Sequence, residues 1–286
     1  MKTELESVNI SVLNIGHAST KHTWGGRDLS SPFARLYYVR NGRATLYLPK
    51  GEVEMKPGYM YLIPQFMPHS YTCDPGFEFY YMFVYERYGE QIDLFDMYSF
   101  PLEVKANEAA ELLFQNYCNL YPQLSFPYES AEDFSSHPAY RDYALRYARM
   151  DRYEKMQLQG LVWIITSYFM KHASKTVDQV DERIRKVMRH VKNNVSHDFS
   201  LEELAAIACV TKPHLGRLFR DTLGTSPIQF VNRTKIQHAQ RLLMTTNYSI
   251  GVVSHEVGFS DVSYFIRLFR RNIGFTPQDY RDRLRY

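Results

Sequence analysis

Apolar residues fall in short β-type runs about ten residues apart through the first hundred positions and at helical spacing through the last hundred. Within the helical stretch a single pattern is written twice. In the first copy Ser200 precedes Glu203 by three residues, a capping box that satisfies unpaired backbone N–H groups. Leu201, Leu204, Ala205 and Ala208 then share one face. After a Cys209-Val210-Thr211 turn, a second helix carries Leu215, Leu218 and Phe219 inward and leaves Lys212, His214, Arg217 and Arg220 outward. In the second copy Val252, Val253 and Val257 precede a Gly258-Phe259-Ser260 turn. Phe265, Leu268 and Phe269 face inward there, and Tyr264, Arg267, Arg270 and Arg271 face out. From the middle of each copy the offset is fifty residues: Arg217/Arg267, Leu218/Leu268, Phe219/Phe269, Arg220/Arg270, Gly224/Gly274 and Pro227/Pro277. Each copy predicts a helix-turn-helix whose second helix fits a major groove about 12 Å wide.

Between the copies, Ser226 caps and Pro227 begins a longer helix, where a missing N–H costs nothing. Continued to about Met244 it is roughly 27 Å long. Such a strut suits two recognition helices set about one DNA turn, roughly 34 Å, apart. A helix over Asp181 to Asn194, with Ile184, Val187, Met188 and Val191 inward, opens this domain.

The N-terminal region predicts strands. Leu36–Val39 and Ala44–Leu48 flank Asn41-Gly42, a hairpin signal. Lys50-Gly51 turns into Glu52–Lys56, Pro57-Gly58 turns into Tyr59–Ile63, and Phe77–Tyr85 is a long aromatic strand. The spacing implies a sandwich or barrel. A helix follows over 104–120, with Ala109, Leu112, Leu113 and Tyr117 apolar; the Pro- and Tyr-rich stretch 121–150 carries no clear element. Glu154–Lys171 reads as a helix with a broad stripe of Leu158, Leu161, Val162, Ile165, Tyr168 and Phe169. The expected organisation is α+β: a β domain over 1–103, helices over 104–173, a linker over 174–180 and a tandem helix-turn-helix domain over 181–286.

Charge follows this division. From Asp178 onward there are 17 Lys+Arg against 11 Asp+Glu, net +6, while residues 1–177 hold 17 against 20, net −3. The basic excess sits where phosphate attraction needs it. Cys73, Cys118 and Cys209 show neither metal spacing nor an even count, which fits a reducing compartment. No apolar run has the length of a signal peptide core or a membrane span, so a cytoplasmic protein with no membrane partner is expected.

The doubled motif, above all the run GFSDVSYFIRLFRRNIGFTPQDYR, resembles the DNA-binding domain of the AraC family of bacterial transcription regulators over roughly the last hundred residues. The resemblance implies double-stranded DNA as partner. By position it places base contact on Lys212, Pro213, Gly216 and Arg217, and on Ser263, Tyr264, Ile266 and Arg267, with His214 on the same helix face. Arg217 and Arg267 are the strongest candidates, because a guanidinium bonds a guanine edge bidentately. Pro213 and Gly216 depart from the usual larger or polar residues, so the first helix is expected to read shape and phosphate more than bases. Arg220, Arg270, Arg271 and Lys235 are expected on phosphate.

In the β region, KPGYMYLIPQFMPHSY spaces Gly58, Pro64 and His69 like the second cupin motif, and the segment resembles the cupin-like sensor domain of many AraC-type regulators. The first, metal-binding motif has no counterpart: His17 and His22 lie upstream of the expected barrel strands, and Phe66 replaces the usual glycine. His69 therefore reads as a hydrogen-bonded wall residue, with no metal, cofactor or catalysis expected. The resemblance implies a small-molecule effector, a sugar or small organic acid, lined by Trp24, Arg27, His69, Tyr71, Tyr81 and Phe83. It also implies a homodimer formed through the 158–169 stripe, with RNA polymerase a further partner. Two alternatives stay open: a metal-free cupin lyase or isomerase fused to a DNA-binding module, and a regulator whose barrel only dimerises.

Overall fold

A computed structural model describes residues 10–86, 94, 98–126, 140–175 and 181–283, which fall into two compact units, one built on residues 9–87 and 99–174 and one on 175–285. The first is mixed β and α. Its main strands are β1 (Ile10–Ser19), β2 (Trp24–Leu29), β3 (Ala34–Asn41), β4 (Ala44–Leu48), β5 (Gly51–Met55), β6 (Tyr59–Ile63), β7 (His69–Cys73), β8 (Glu78–Glu86) and β9 (Glu103–Lys105). They form a five-stranded antiparallel sheet in the order β1-β8-β3-β6-β9 and a four-stranded sheet in the order β2-β7-β4-β5.

The Lys50-Gly51 turn closes a β4–β5 hairpin as its residues predict. Asn41-Gly42 does not close one. β3 pairs with β6 and β8, and β4 with β5 and β7, so this turn carries the chain from one sheet to the other. Gly42 sits there at φ 74°, and a Cβ on it would meet the Gly76 carbonyl oxygen at 2.7 Å. The chain therefore needs glycine for a corner as much as it would for a hairpin.

Four strands lie where no strand was read, β1, β2, β7 and β9, the last at the start of the helix expected over 104–120, which begins at Glu108 instead. Through its first seven residues β1 is buried without a break, because α1 (Glu108–Leu120), α2 (Tyr140–Arg149) and α3 (Arg152–Met170) pack on it. A strand covered on both faces loses its alternation. The helix α2 falls in the stretch left unassigned from sequence, of which 127–139 lies outside the described residues. Asn107 caps α1 by accepting from the Ala110 N–H, and an Asp151–Glu154 capping box begins α3.

From residue 181 onward the regular structure of the second unit is helical: α4 (Glu182–Asn193), α5 (Leu201–Ile207), α6 (Lys212–Leu223), α7 (Pro227–Thr245), α8 (Ile250–Glu256), α9 (Val262–Ile273) and α10 (Pro277–Arg283). Ser200 accepts from the Glu203 N–H, and Ser226 forms a capping box with Gln229. Gly224 and Gly274 end α6 and α9 in the left-handed conformation. Two hydrophobic cores hold the helices together. One joins Ile184, Val187 and Val191 to Leu204, Leu215, Phe219, Phe230 and Val231; the other joins Ile236, Ala239 and Leu243 to Val253, Val257, Phe265, Leu268 and Phe269. Both draw on α7, its first half serving one core and its second half the other. Of the three valines before the second turn, Val253 and Val257 are in the core and Val252 is 42% exposed.

Candidate functional site

Each helix-turn-helix has its outer helix held from behind by three apolar residues, Leu215, Leu218 and Phe219 on α6 and Phe265, Leu268 and Phe269 on α9. The opposite faces are left to solvent. On α6, Lys212, Pro213, Arg217 and Arg220 are exposed, and on α9 Ser263, Tyr264, Arg267, Arg270 and Arg271 are exposed. The remaining three candidates on these two helices are half-buried. Gly216 leaves open space, since a Cβ there would meet just the Arg220 guanidinium at 3.8 Å. His214 lies 3.3 Å from the Arg183 guanidinium, and Ile266 packs against the second core. Lys212 is ion-paired with Glu202. Asp261 caps α9 by accepting from the N–H groups of Ser263 and Tyr264, which fixes the start of that helix.

Lys235 is not part of this surface. It is 2% exposed, and its ammonium donates to the Gly258 carbonyl over 2.8 Å beside the Phe259 ring. Burial lowers its pKa. The phosphate contact expected of it is corrected to a strut: α7 is sandwiched between two cores, so a cation on it can point inward.

In the β unit the two sheets face one another across an aromatic interior. Strand pairing places Asn14, Phe83, Arg35 and Ile63 side by side across four strands, with Gly16, Tyr81, Tyr37 and Tyr61 in the next row on the same face. Opposite residues of an antiparallel pair project to one side of the sheet. Arg35 is 8% exposed, donates to Ser31 Oγ at 2.8 Å and to Tyr37 Oη at 3.4 Å, and lies 5.1 and 4.9 Å from the ring centres of Phe33 and Phe83. Tyr140 of α2 lies against Phe33, 4.9 Å between centres. From the other sheet come His69 and Tyr71. His69 Nδ1 donates to the Met67 carbonyl at 2.9 Å, and burial, then the charge of Arg35, pushes its pKa down to about 4. It is neutral at physiological pH, with its lone pair on Nε2. Burial raises Tyr71 and Tyr140 above the usual phenol value, so both are neutral hydroxyls.

Of the six residues expected to line an effector site, His69, Tyr71, Tyr81 and Phe83 meet in or beside this interior, and Trp24 packs on Tyr71 at 4.9 Å. Arg27 does not join them. It is exposed on β2, next to the irregularity between Gly26 and Leu29, and the buried guanidinium is Arg35. Sequence reading missed Arg35: the first six residues of β3 are all buried, so no alternation marks its inner side, and the pairing register is what sets Arg35 on the side of Tyr37. Among the described residues no group of three or more His, Cys, Asp or Glu is placed to hold a metal ion.

The α3 stripe turns inward. Leu158, Leu161, Val162, Ile165 and Phe169 are buried within the subunit, in a helix that packs on β1, β9 and α1, and the Tyr168 hydroxyl donates to Asn107 Oδ1 at 2.7 Å. The five buried residues have no surface to offer a second copy. The opposite face carries Tyr153, Met156 and Ile164, 63%, 72% and 45% exposed.

Comparison with known proteins agrees with the helical unit. Residues 204–283 match the family described as a helix-turn-helix domain. Among curated proteins, an uncharacterised HTH-type transcriptional regulator of Bacillus subtilis is 40% identical over 99 residues, 35% of this chain and 31% of its own. The lactose operon transcription activator of Staphylococcus xylosus is 30% identical over 124 residues, 43% of this chain and 44% of its own. The arabinose operon regulatory protein of Escherichia coli is 31% identical over 103 residues, 36% and 35% respectively. The chain thus spans under half the length of these relatives. The crystal structure of ToxT from Vibrio cholerae O395 is similar in fold, with a TM-score of 0.52 at 14% identity over 98% of each chain. No helix among the described residues is long and apolar enough to cross a membrane.

Proposed function

We propose that the chain is, through its C-terminal domain, a transcription regulator of the AraC type, a DNA-binding protein whose N-terminal β unit takes up a small-molecule effector. One observation supports the DNA reading most: two helices, α6 and α9, present the same outward cations at the same places, Arg217 and Arg220 on one and Arg267 and Arg270 on the other, with the long helix α7 contributing to the core behind each. Two such helices read successive major grooves, the guanidinium groups at base edges and the flanking cations on phosphates. Glycine at position 216 lets backbone approach the duplex closely, consistent with a first helix that reads shape.

The test is fluorescence anisotropy against duplexes selected from a random pool. Arg267→Ala and Arg217→Ala are each expected to weaken the preferred duplex by about 1 to 3 kcal/mol and to erase preference at one base pair. An equal loss on every duplex reassigns the residue to phosphate. Absence of saturable, salt-dependent binding by the full chain sinks the reading.

A homodimer is proposed through the outer face of α3, Tyr153, Met156, Gly160 and Ile164, since the inner face is spent on the subunit's own core. A Cβ on Gly160 meets nothing within 4 Å, so the face has room for a close helix crossing. Met156→Glu and Ile164→Glu together are expected to convert a dimer to a monomer in light scattering without lowering the melting temperature. A dimer that survives both places the interface elsewhere.

The effector is proposed to lie between the sheets, as a sugar or small organic acid; a bound molecule acts by preferring one arrangement of the regulator over another. The chain is proposed to have no enzymatic activity.

A further inference from the structure

Within the effector reading, the interior of the β unit carries an imbalance that specifies the ligand. Arg35 is charged at every physiological pH, yet among the described residues its neighbours are hydroxyls and rings, those of Ser31, Tyr37, Tyr71, Tyr140, Phe33 and Phe83, with no carboxylate. Ring faces and neutral hydroxyls offset part of the cost of a buried cation and leave its charge unneutralised. Its Nε–H has no acceptor among the described residues.

Two further polar groups share this interior and the same want. His69, 4% exposed, has Nε2 without a partner among the described residues, and because Nδ1 donates to the Met67 carbonyl, Nε2 is an acceptor waiting for a donor. Asn14, fully buried on β1 in the row of Phe83 and Arg35, has both its carboxamide oxygen and nitrogen unpaired among those same residues. Two strand spacings separate it from Arg35, roughly 10 Å. Buried polar atoms are hydrogen-bonded as a rule, and three unmatched groups on facing sheets point to a missing occupant.

We infer that the effector is a hydroxylated organic acid, its carboxylate held by Arg35, a hydroxyl donating to His69 Nε2, and its far polar end reaching Asn14 across the Phe83 ring. The complement is chemical: an anion for an unneutralised guanidinium, a donor for a lone pair, and a flat apolar stretch between. A neutral sugar satisfies His69 and Asn14 and leaves Arg35 as it was.

The test uses thermal unfolding of the full chain with paired probes: glucuronate against glucose, 4-hydroxybenzoate against 4-hydroxybenzyl alcohol, and 4-hydroxybenzoate against benzoate. An acid is expected to raise the melting temperature with concentration while its neutral partner does not. In Arg35→Met the shift disappears, and the unliganded variant melts at or above the wild type, because an uncompensated buried charge has been replaced by an apolar chain of similar length. His69→Phe is expected to remove the hydroxyl preference, about ten-fold in Kd for one hydrogen bond. Three results overturn the inference: a shift equal for acid and neutral partner, no shift with any acid, or an unliganded Arg35→Met that melts well below the wild type, which makes Arg35 a structural strut. The first of these leaves an effector site standing, and DNA affinity measured on the same preparations reports separately on the regulator reading.

Discussion

Gly258→Ala is expected to unfold the C-terminal domain at temperatures the wild-type chain withstands, with a loss of more than about 3 kcal/mol. Gly258 has φ 76°, and a Cβ on it would stand 2.0 Å from the Ser196 carbonyl oxygen, 2.5 Å from its carbon and 2.8 Å from its Cα. The left-handed conformation alone costs a non-glycine residue roughly 1 to 2 kcal/mol. The remainder comes from the clash, since the opposing atoms are backbone and cannot rotate away. The first copy supplies an internal control. Its turn also needs a left-handed residue, and Cys209 occupies that place at φ 53° and is exposed. Cys209→Gly is therefore expected to raise stability, by about 1 kcal/mol. Far-UV circular dichroism melts of both variants check the pair. A Gly258→Ala protein that melts with the wild type would mean that the turn does not rest on Ser196.

The difference between the two turns shows what local sequence carries. Caps, helical periodicity and the repeated Gly and Pro positions are properties of neighbouring residues, and they place α4 and α7 to within a residue or two, while α10 was not read as a helix. The reason copy two requires glycine lies in Ser196, 62 positions upstream, and no local pattern reports it. The same limit governs the β unit. Period-2 alternation reveals a strand with one face in water, and β1 has none because helices cover its outer side. Asn41-Gly42 has the composition of a hairpin, but composition fixes the backbone angles of a turn and not which sheet receives the next strand.

The effector residues divide in the same way. Tyr81 and Phe83 came from the family resemblance, and strand pairing puts both on one face of the sheet, in the rows of Tyr37 and Arg35. The guanidinium was read at position 27, within an irregular strand, whereas the inward one is at position 35, on the same side of β3 as Tyr37. Both arginines look alike in composition. What separates them is a pairing register, Arg35 beside Phe83 on one side and Ile63 on the other, that arises from residues 48 and 28 positions away. The inward turn of the α3 stripe is a matter of covering too: the broad apolar surface is consumed by β1, β9 and α1.

Lys235 offers the sharpest separation between a residue that touches DNA and one that positions what does. Lys235→Met keeps the length of the side chain, removes the donor to the Gly258 carbonyl and leaves that oxygen facing a thioether. Losing a charge-assisted hydrogen bond is worth about 1.5 to 3 kcal/mol, and relief of the ammonium's burial returns part of it. A net loss of about 1 to 2 kcal/mol in the stability of the C-terminal domain is expected. A second effect follows from where the bond sits. It ties α7, which feeds both cores, to the turn that aims α9, so loosening it lowers the effective concentration of the second recognition helix once the first has bound. Affinity for a duplex carrying both half-sites is expected to fall about ten-fold, while affinity for either half-site alone stays near wild type. The salt dependence decides the matter. A phosphate contact removed reduces the slope of log K against log salt by about one and leaves the melting temperature in place. A strut removed lowers the melting temperature and leaves the slope alone, and that second pattern is the one its 2% exposure predicts.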